Sequence, residues 1–306
     1  MGVAIPLGYV EDRASGALIV DGSLKFSNSK SQRLTRTPSS AGNRSTWTFS
    51  GWYKKNLLDT GSAWATIFAS YTDGSNYSSI TGYKNLADDI GFADYSSSSV
   101  ITMVSTNARI RDISSWYHFV FVYDTTNSTS TDRIKIYING VRQTSIYSGR
   151  EVYPSQNYSG GYINSTNLHT LCENIGYYGN DCQMSQVYFI DGQALDPSYF
   201  GYTDALTNTW RPKKLSSSVA FGTNGFYLPF DGSAPIGQDQ SGRGNNWTPV
   251  NFGGSNTLEK ATGALPILNT DGGGKVARVG VRTDSSASSL VLALPLVGIK
   301  SDFSNA

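Results

Sequence analysis

Carboxylates, imidazoles, thiols and phenols are the side chains of this sequence that could do chemistry, and their spacing limits what that chemistry is. Glycoside hydrolysis needs two carboxyl groups facing one sugar ring, which the E-x-D-x-x-E spacing of glucanases provides by putting alternate carboxylates on one strand face. No such run occurs here. Before the carboxy-terminal region the glutamates are Glu11, Glu151 and Glu173, each without an acidic partner at that spacing. Asp88 and Asp89 are adjacent and in a strand would point to opposite faces. His118 lies inside an apolar run and reads as a packed strand residue; His169 follows Asn-Ser-Thr-Asn-Leu and reads as a loop residue. No serine sits in a G-x-S-x-G elbow, and no His/Cys group has zinc-ligand spacing. The sequence therefore assigns no catalytic residue, no metal and no cofactor, and predicts a protein that is not an enzyme.

Other candidates are weaker in chemistry but richer in number. Asn180-Asp181 could lend two oxygen ligands to calcium, which takes about six to eight, so a turn is the simpler reading. Ser241–Trp247 and Asp271–Lys275 are glycine-rich but lack P-loop spacing and precede no helix-period segment, so they read as turns. Cys172 and Cys182 are the two cysteines; they form either a short-loop disulfide or two free, partly buried thiols. The N-x-S/T triplets at Asn43, Asn76, Asn127, Asn157 and Asn164 follow from the Ser/Thr/Asn-rich composition. The surplus of aromatics (19 Tyr, 13 Phe, 6 Trp) is the remaining signal. Tyrosine faces pack against sugar C–H groups, and Asn or Asp side chains take the hydroxyls. Tyr71, Tyr77, Tyr83 and Tyr95 fall in or beside strands that would line one sheet, and Tyr153, Tyr158, Tyr162, Tyr177 and Tyr178 sit in loop-rich sequence; the candidate ligand-binding set is Tyr71, Tyr83, Tyr95, Tyr177, Tyr178, Asn180 and Asp181. The same rings would otherwise cap a sheet edge or pack against neighbouring subunits.

Strands must position these residues. Trp116–Tyr123 is nearly all apolar and suits a strand buried on both faces, closed by Asp124. Ile134, Ile136 and Ile138 then alternate with Arg133, Lys135 and Tyr137, and Asn139-Gly140 is a two-residue turn that favours positive φ. Thr46–Lys55 puts Trp47, Phe49 and Tyr53 on one face and Thr48, Ser50 and Trp52 on the other, with Gly51 marking a bulge or close backbone approach. Further strands are predicted at Thr66–Tyr71, Ser79–Tyr83, Ile90–Tyr95, Val100–Val104 and around Val187–Phe189, while Leu195–Phe200 covers an end, with one short turn over Asp196–Phe200. Short strands with frequent turn signals predict an all-β sandwich or barrel. Residues 1–17 read as an amino-terminal arm, 18–214 as the sandwich and 215–306 as a loop-rich carboxy-terminal extension. Phe226–Gly232 and Leu292–Gly298 echo each other, either as the openings of two β modules or by chance.

Net charge is +1 with Lys and Arg scattered singly, which argues against a nucleic-acid-binding surface. No segment reaches the roughly 18 apolar residues of a membrane span, and the amino terminus lacks the basic and apolar regions of a signal peptide.

Ser23–Lys55, the Trp116–Thr144 strand and hairpin, Val187–Gly201, Asn208–Leu215 and Gly222–Phe252 together resemble laminin-G-like, concanavalin A-like jelly-roll domains, and in particular those of bacteriophage tail-fibre and other virion appendage proteins. The resemblance spans about residues 18–298. It implies an antiparallel β-sandwich in a virion structural protein, assembled in the bacterial host cytoplasm beside other virion proteins. The non-periodic arm and the Gly-rich tail predict a homo-oligomer, a trimer if a fibre, and the fibre or spike reading implies contact with host surface glycans. A capsid or tail decoration protein and a bacterial cell-surface lectin are the alternatives.

Overall fold

A computed structural model describes residues 18, 20, 22–57, 64–83, 88–173, 179–205 and 207–252. The seven-stranded sheet contains β1 (Leu24–Phe26), β3 (Thr46–Lys55), β8 (Tyr117–Asp124), β9 (Ile134–Ile138), β10 (Val141–Arg142), β13 (Cys182–Asp191) and β16 (Phe226–Leu228). Its order is β1-β13-β3-β8-β9-β10, with β16 also paired to β13. The eight-stranded sheet runs β11 (Ile146–Val152), β7 (Ser99–Thr106), β6 (Gly91–Ser96), β5 (Asn76–Tyr83), β4 (Trp64–Asp73), β12 (Leu168–Leu171), β2 (Arg33–Arg36) and β17 (Thr248–Val250). A small ribbon, β14 (Gly201–Thr203) with β15 (Trp210–Pro212), stands apart. All the pairings are antiparallel. The chain is an antiparallel β-sandwich.

Alternation builds the core between the sheets. Trp47 and Phe49 of β3, Phe119, Phe121 and Tyr123 of β8 and Phe189 of β13 face Phe68, Ile80, Phe92 and Val104 of the other sheet. Phe49 stacks on Phe68 at 5.2 Å, and Trp47 stacks on Tyr123 at 5.0 Å while tilting against Phe92. Burying each such ring stabilises by about 2–3 kcal/mol, and good ring pairs add roughly 0.5–1.5 kcal/mol. Gly51 lies opposite a bulge in β13: register shifts between Ser185 and Tyr188, and Gln186 takes φ +51°. A Cβ on Gly51 would stand 3.4 Å from a Val187 methyl and 3.8 Å from its Cα, ordinary contact distances, so no close backbone approach requires the glycine and the extra residue of the bulge sits on the partner strand.

The apolar run of β8 is buried on both faces, as its composition predicts. Val120 and Val122 point away from the first core into a second one, with Tyr188, Ile190, Leu195, Phe200, Leu215 and Val219. The 195–200 segment thus covers the outer face of the seven-stranded sheet, not an end, through a 3-10 turn (Pro197–Tyr199) that Asp196 caps by accepting from Ser198 N–H. Asn139 and Gly140 both adopt positive φ in the tight turn from β9 to β10.

The expected boundary near residue 215 is not where the sandwich ends. β16 pairs with β13, β17 pairs with β2, and Phe226, Leu228, Phe230, Ile236, Trp247 and Phe252 fill the first core. This stretch is sparse in apolar residues, but the few it has are large rings directed inward, so its loop-like texture hides its role. The echo at Leu292–Gly298 and the arm 1–17 lie outside the described residues.

Aspartate and asparagine organise the loops. Asp73, Asp231 and Asp239 each accept from the backbone N–H two residues on, at Ser75, Ser233 and Ser241. Asn43 and Asn127 do the same with Ser45 and Thr129. Two of the N-x-S/T triplets are therefore Asx turns.

Candidate functional site

Most of the polar groups that look reactive are consumed by the fold. Ser50 Oγ and His118 Nε2 are 2.9 Å apart, the separation of a nucleophile and its base. Trp210 Nε1–H, which can only donate, reaches His118 Nδ1 at 3.0 Å. The neutral ring therefore carries its proton on Nε2 and donates it to Ser50, the wrong direction for activating a nucleophile. Burial pushes the His118 imidazole down to about 3. Trp210 is slotted between Gly140 and Gly201, where a Cβ at either position would stand 2.4 Å from the indole.

His169 lies in β12, not in a loop. Its Nε2 accepts from Asn164 N–H at 2.9 Å and its Nδ1–H donates to Asn167 O at 2.8 Å, and burial again holds it near 3. Asp191 is a hub: its carboxylate accepts from Asn43 N, Asn164 Nδ2, Thr223 N and Asn224 N at 2.7–3.0 Å, tying three loops together. Every oxygen there faces a donor, so the cluster is a staple and not a cation cage.

Asn180 is 2% exposed, accepts from Tyr53 OH at 3.1 Å and points its amide at Thr66 O. Asp181 accepts from Asn28 N–H at 3.1 Å. The structure does not bring these two to the tyrosines of the eight-stranded sheet. Tyr177 and Tyr178 lie outside the described residues, as does the side chain of Tyr83 at the end of β5.

Asp88, Asp89, Asp94 and Glu173 are held by basic or hydroxyl partners among the described residues. Asp94 is fully buried, and desolvation raises its carboxyl, opposed by hydrogen bonds from Ser78 and Tyr158 and by Arg44. Its partners are a serine, tyrosines and an arginine, with no second carboxylate among them. Glu173 pairs with Arg33 at 2.9 Å, Asp88 with Lys55, and Asp89 sits between Arg109 and Arg150 at 3.8–3.9 Å. Among the described residues no group of three His, Cys, Asp or Glu could hold a metal ion, and no helix is long and apolar enough to cross a membrane.

The loop tyrosines serve the scaffold. Tyr153 packs on the first core, Tyr162 OH donates to Asn76, and Tyr158 reaches Asp94.

The outer face of the eight-stranded sheet is different. Ile80 and Phe92 point inward, so Tyr77, Ser79, Thr81, Ala93 and Tyr95 point outward. Register places Tyr71 directly across from Tyr77, and Tyr77 directly across from Tyr95. This cross-strand row belongs to neither apolar core. Tyr77 and Tyr95 stack at 4.9 Å, and the Tyr77 hydroxyl interacts with that of Tyr95. Thr66, Ala69, Ser79 and Thr170 make a small, hydroxyl-bearing floor beside the row, each at most 1% exposed. Tyr71 and Tyr77 are 5% and 9% exposed, and Tyr95 is half-buried. Burial pushes the Tyr71 phenol up to about 12, with Arg33 opposing and Glu173 adding. Sequence reading singled out Tyr71 and Tyr95 but missed the floor, because small residues on a strand signal nothing until the register is known.

No protein-family profile matches the sequence, and no curated protein matches it significantly. Solved structures resemble it remotely. One is a Bacteroides ovatus protein provisionally assigned to carbohydrate binding, at 16% identity and TM-score 0.48 over 76% of this chain and 58% of that one. This chain thus spans less than two thirds of that protein's length. Another is a heptameric SAP-like pentraxin from Limulus polyphemus, at 18% identity and TM-score 0.40 over 69% and 90%. A third is domain 4 of an extracellular GH43 arabinanase from Geobacillus stearothermophilus in complex with arabinotriose, at 20% identity and TM-score 0.33 over 53% and 68%.

Proposed function

We propose that this chain is a non-enzymatic structural protein of a bacteriophage virion, a fibre- or spike-type appendage that contacts host surface glycans through the outer face of its eight-stranded sheet. One observation carries the glycan part: Tyr71, Tyr77 and Tyr95 form a continuous cross-strand row outside both cores. Tyr95 is the half-buried member of the row, and its ring face suits a ligand of C–H patches and hydroxyls. The virion part is supported by the sequence resemblance of Ser23–Lys55 and Gly222–Phe252. On this reading the protein is a homo-oligomer, trimeric as a fibre, assembled with other virion proteins in the bacterial host cytoplasm.

A glycan array tests the binding. Tyr95→Ala is expected to weaken the best-binding glycan roughly tenfold or more while leaving the fold intact. Unchanged binding in that variant would remove the tyrosine row from the site.

The low exposure of Tyr71 and Tyr77 favours a second reading, in which the row is a contact with another subunit or particle protein. A capsid or tail decoration protein fits it, and tight association with purified capsids and no glycan binding would select it. Glycan binding by a chromosomally encoded, surface-displayed protein would select the bacterial lectin instead.

A further inference from the structure

Cys172 and Cys182 flank the connection that crosses from one sheet to the other. Cys172 follows the last residue of β12 in the eight-stranded sheet, and Cys182 opens β13 in the seven-stranded one. Their sulfurs are 3.1 Å apart, with Met184 Sδ 3.2 Å from Cys172 Sγ, and both cysteines are 0% exposed. Even carbon atoms in van der Waals contact stay about 3.5–4.0 Å apart, and sulfur is larger. A small rotation about one side-chain bond would bring the pair to the roughly 2.05 Å of a disulfide. The backbone around Cys172 is fixed for this meeting: its N–H donates to Ile67 O, its carbonyl accepts from Asn180 N–H, and its φ is +66°. Among the described residues no carboxylate or imidazole is bonded to either sulfur.

We propose that Cys172 and Cys182 are a cystine-forming pair, which clips the two sheets together covalently when the folding chain meets a small-molecule disulfide. One cysteine thiolate attacks a sulfur of the oxidant and expels one thiolate, leaving a mixed disulfide. The second cysteine thiolate attacks the protein sulfur of that mixed disulfide and expels the other. The oxidant is reduced to two thiols, which take up the two cysteine protons, and the chain loses two hydrogens. Burial raises the Cys172 thiol, so the reactive thiolate is scarce in the closed sandwich.

The test is to unfold the full chain in denaturant with reductant and refold it with a mixture of oxidised and reduced glutathione. The product is then alkylated under denaturing conditions without reductant. Refolded protein is expected to take up no alkyl groups, to weigh about 2 Da less than its reduced form, and to yield a cross-linked peptide joining the two cysteines. Its Tm should exceed that of the Cys172→Ala/Cys182→Ala double variant by roughly 5–10 °C. Two alkyl groups on protein with native near-ultraviolet circular dichroism would overturn the proposal. A cystine that leaves Tm no higher than the double variant's would overturn its clamping role.

Discussion

Val120, Val122, Tyr188 and Ile190 leave the seven-stranded sheet on its outer side and enter a second apolar layer, whereas the eight-stranded sheet presents Thr66, Ala69, Ser79, Thr81 and Ala93 on its outer side. Both sheets use the same antiparallel ladder, and both bury large rings between them. The difference lies in what alternates with those rings. Strands apolar on both faces, such as β8, oblige the chain to supply a cover, here 195–200 with Leu215 and Val219. Strands that alternate large apolar with small or hydroxyl side chains present a polar outer face instead; its small residues are at most 1% exposed, and it carries a row of tyrosines outside both apolar clusters. An apolar layer lies on one outer face, hydroxyl-bearing residues and the tyrosine row on the other.

The strongest challenge to this contrast is a pair of truncations. Ile190→Ala, beneath the cover, is expected to cost about 2–5 kcal/mol in urea denaturation. Tyr95→Ala, on the other face, should cost clearly less, because that ring is half-buried and outside both cores. Equal costs would mean that the eight-stranded sheet also has a structural cover.

Acid should act mainly through the two imidazoles. Each has an unfolded value near 6.5 and a folded value of about 3. Between those values the unfolded chain binds protons that the folded chain refuses, so their contribution is whole above pH 6.5 and is lost as pH falls toward 3. The loss is about 1.4 kcal/mol per pH unit for each ring. Asp94 works in the opposite sense, since its raised carboxyl favours the folded state when protonated. Urea midpoints measured from pH 7.5 to 4.5 should decline, and His118→Gln should flatten the decline by about half.

Gly140→Ala probes the covered side more finely. It would force a side chain into φ +78° and against Trp210, loosening the indole that fixes the His118 tautomer. A loss of roughly 1–3 kcal/mol is expected in thermal or urea unfolding. The smallest effect should come from Ser79→Ala on the outer face of the eight-stranded sheet. The Ser79 hydroxyl is buried without a hydrogen-bond partner among the described residues, so its removal should change stability by less than about 0.5 kcal/mol.

Much of this was legible beforehand, and some of it could not be. Period-two alternation identified β3, β8 and β9, and Asn139-Gly140 identified the hairpin, because these signals depend only on neighbours in sequence. The resemblance extended that to a jelly roll. The tyrosines at 71, 77 and 95 were legible as aromatics on strands lining one sheet, but not as direct cross-strand neighbours, since register is set by the pairings themselves. Asn180 looked like a ligand by residue type, and its burial against Tyr53 depends on where the other sheet lies. The stretch after 215 looked separate because low apolar density resembles a linker, and only packing shows that Phe226, Trp247 and Phe252 complete the core.

By itself the sequence determined the class of structure, an antiparallel sandwich without the paired carboxylates that hydrolysis needs, because alternation and residue spacing are local properties. Only the tertiary structure decided which polar groups remain available. A serine beside a histidine, or an asparagine beside an aspartate, is reactive or inert according to the donors, acceptors and burial that distant strands bring to it.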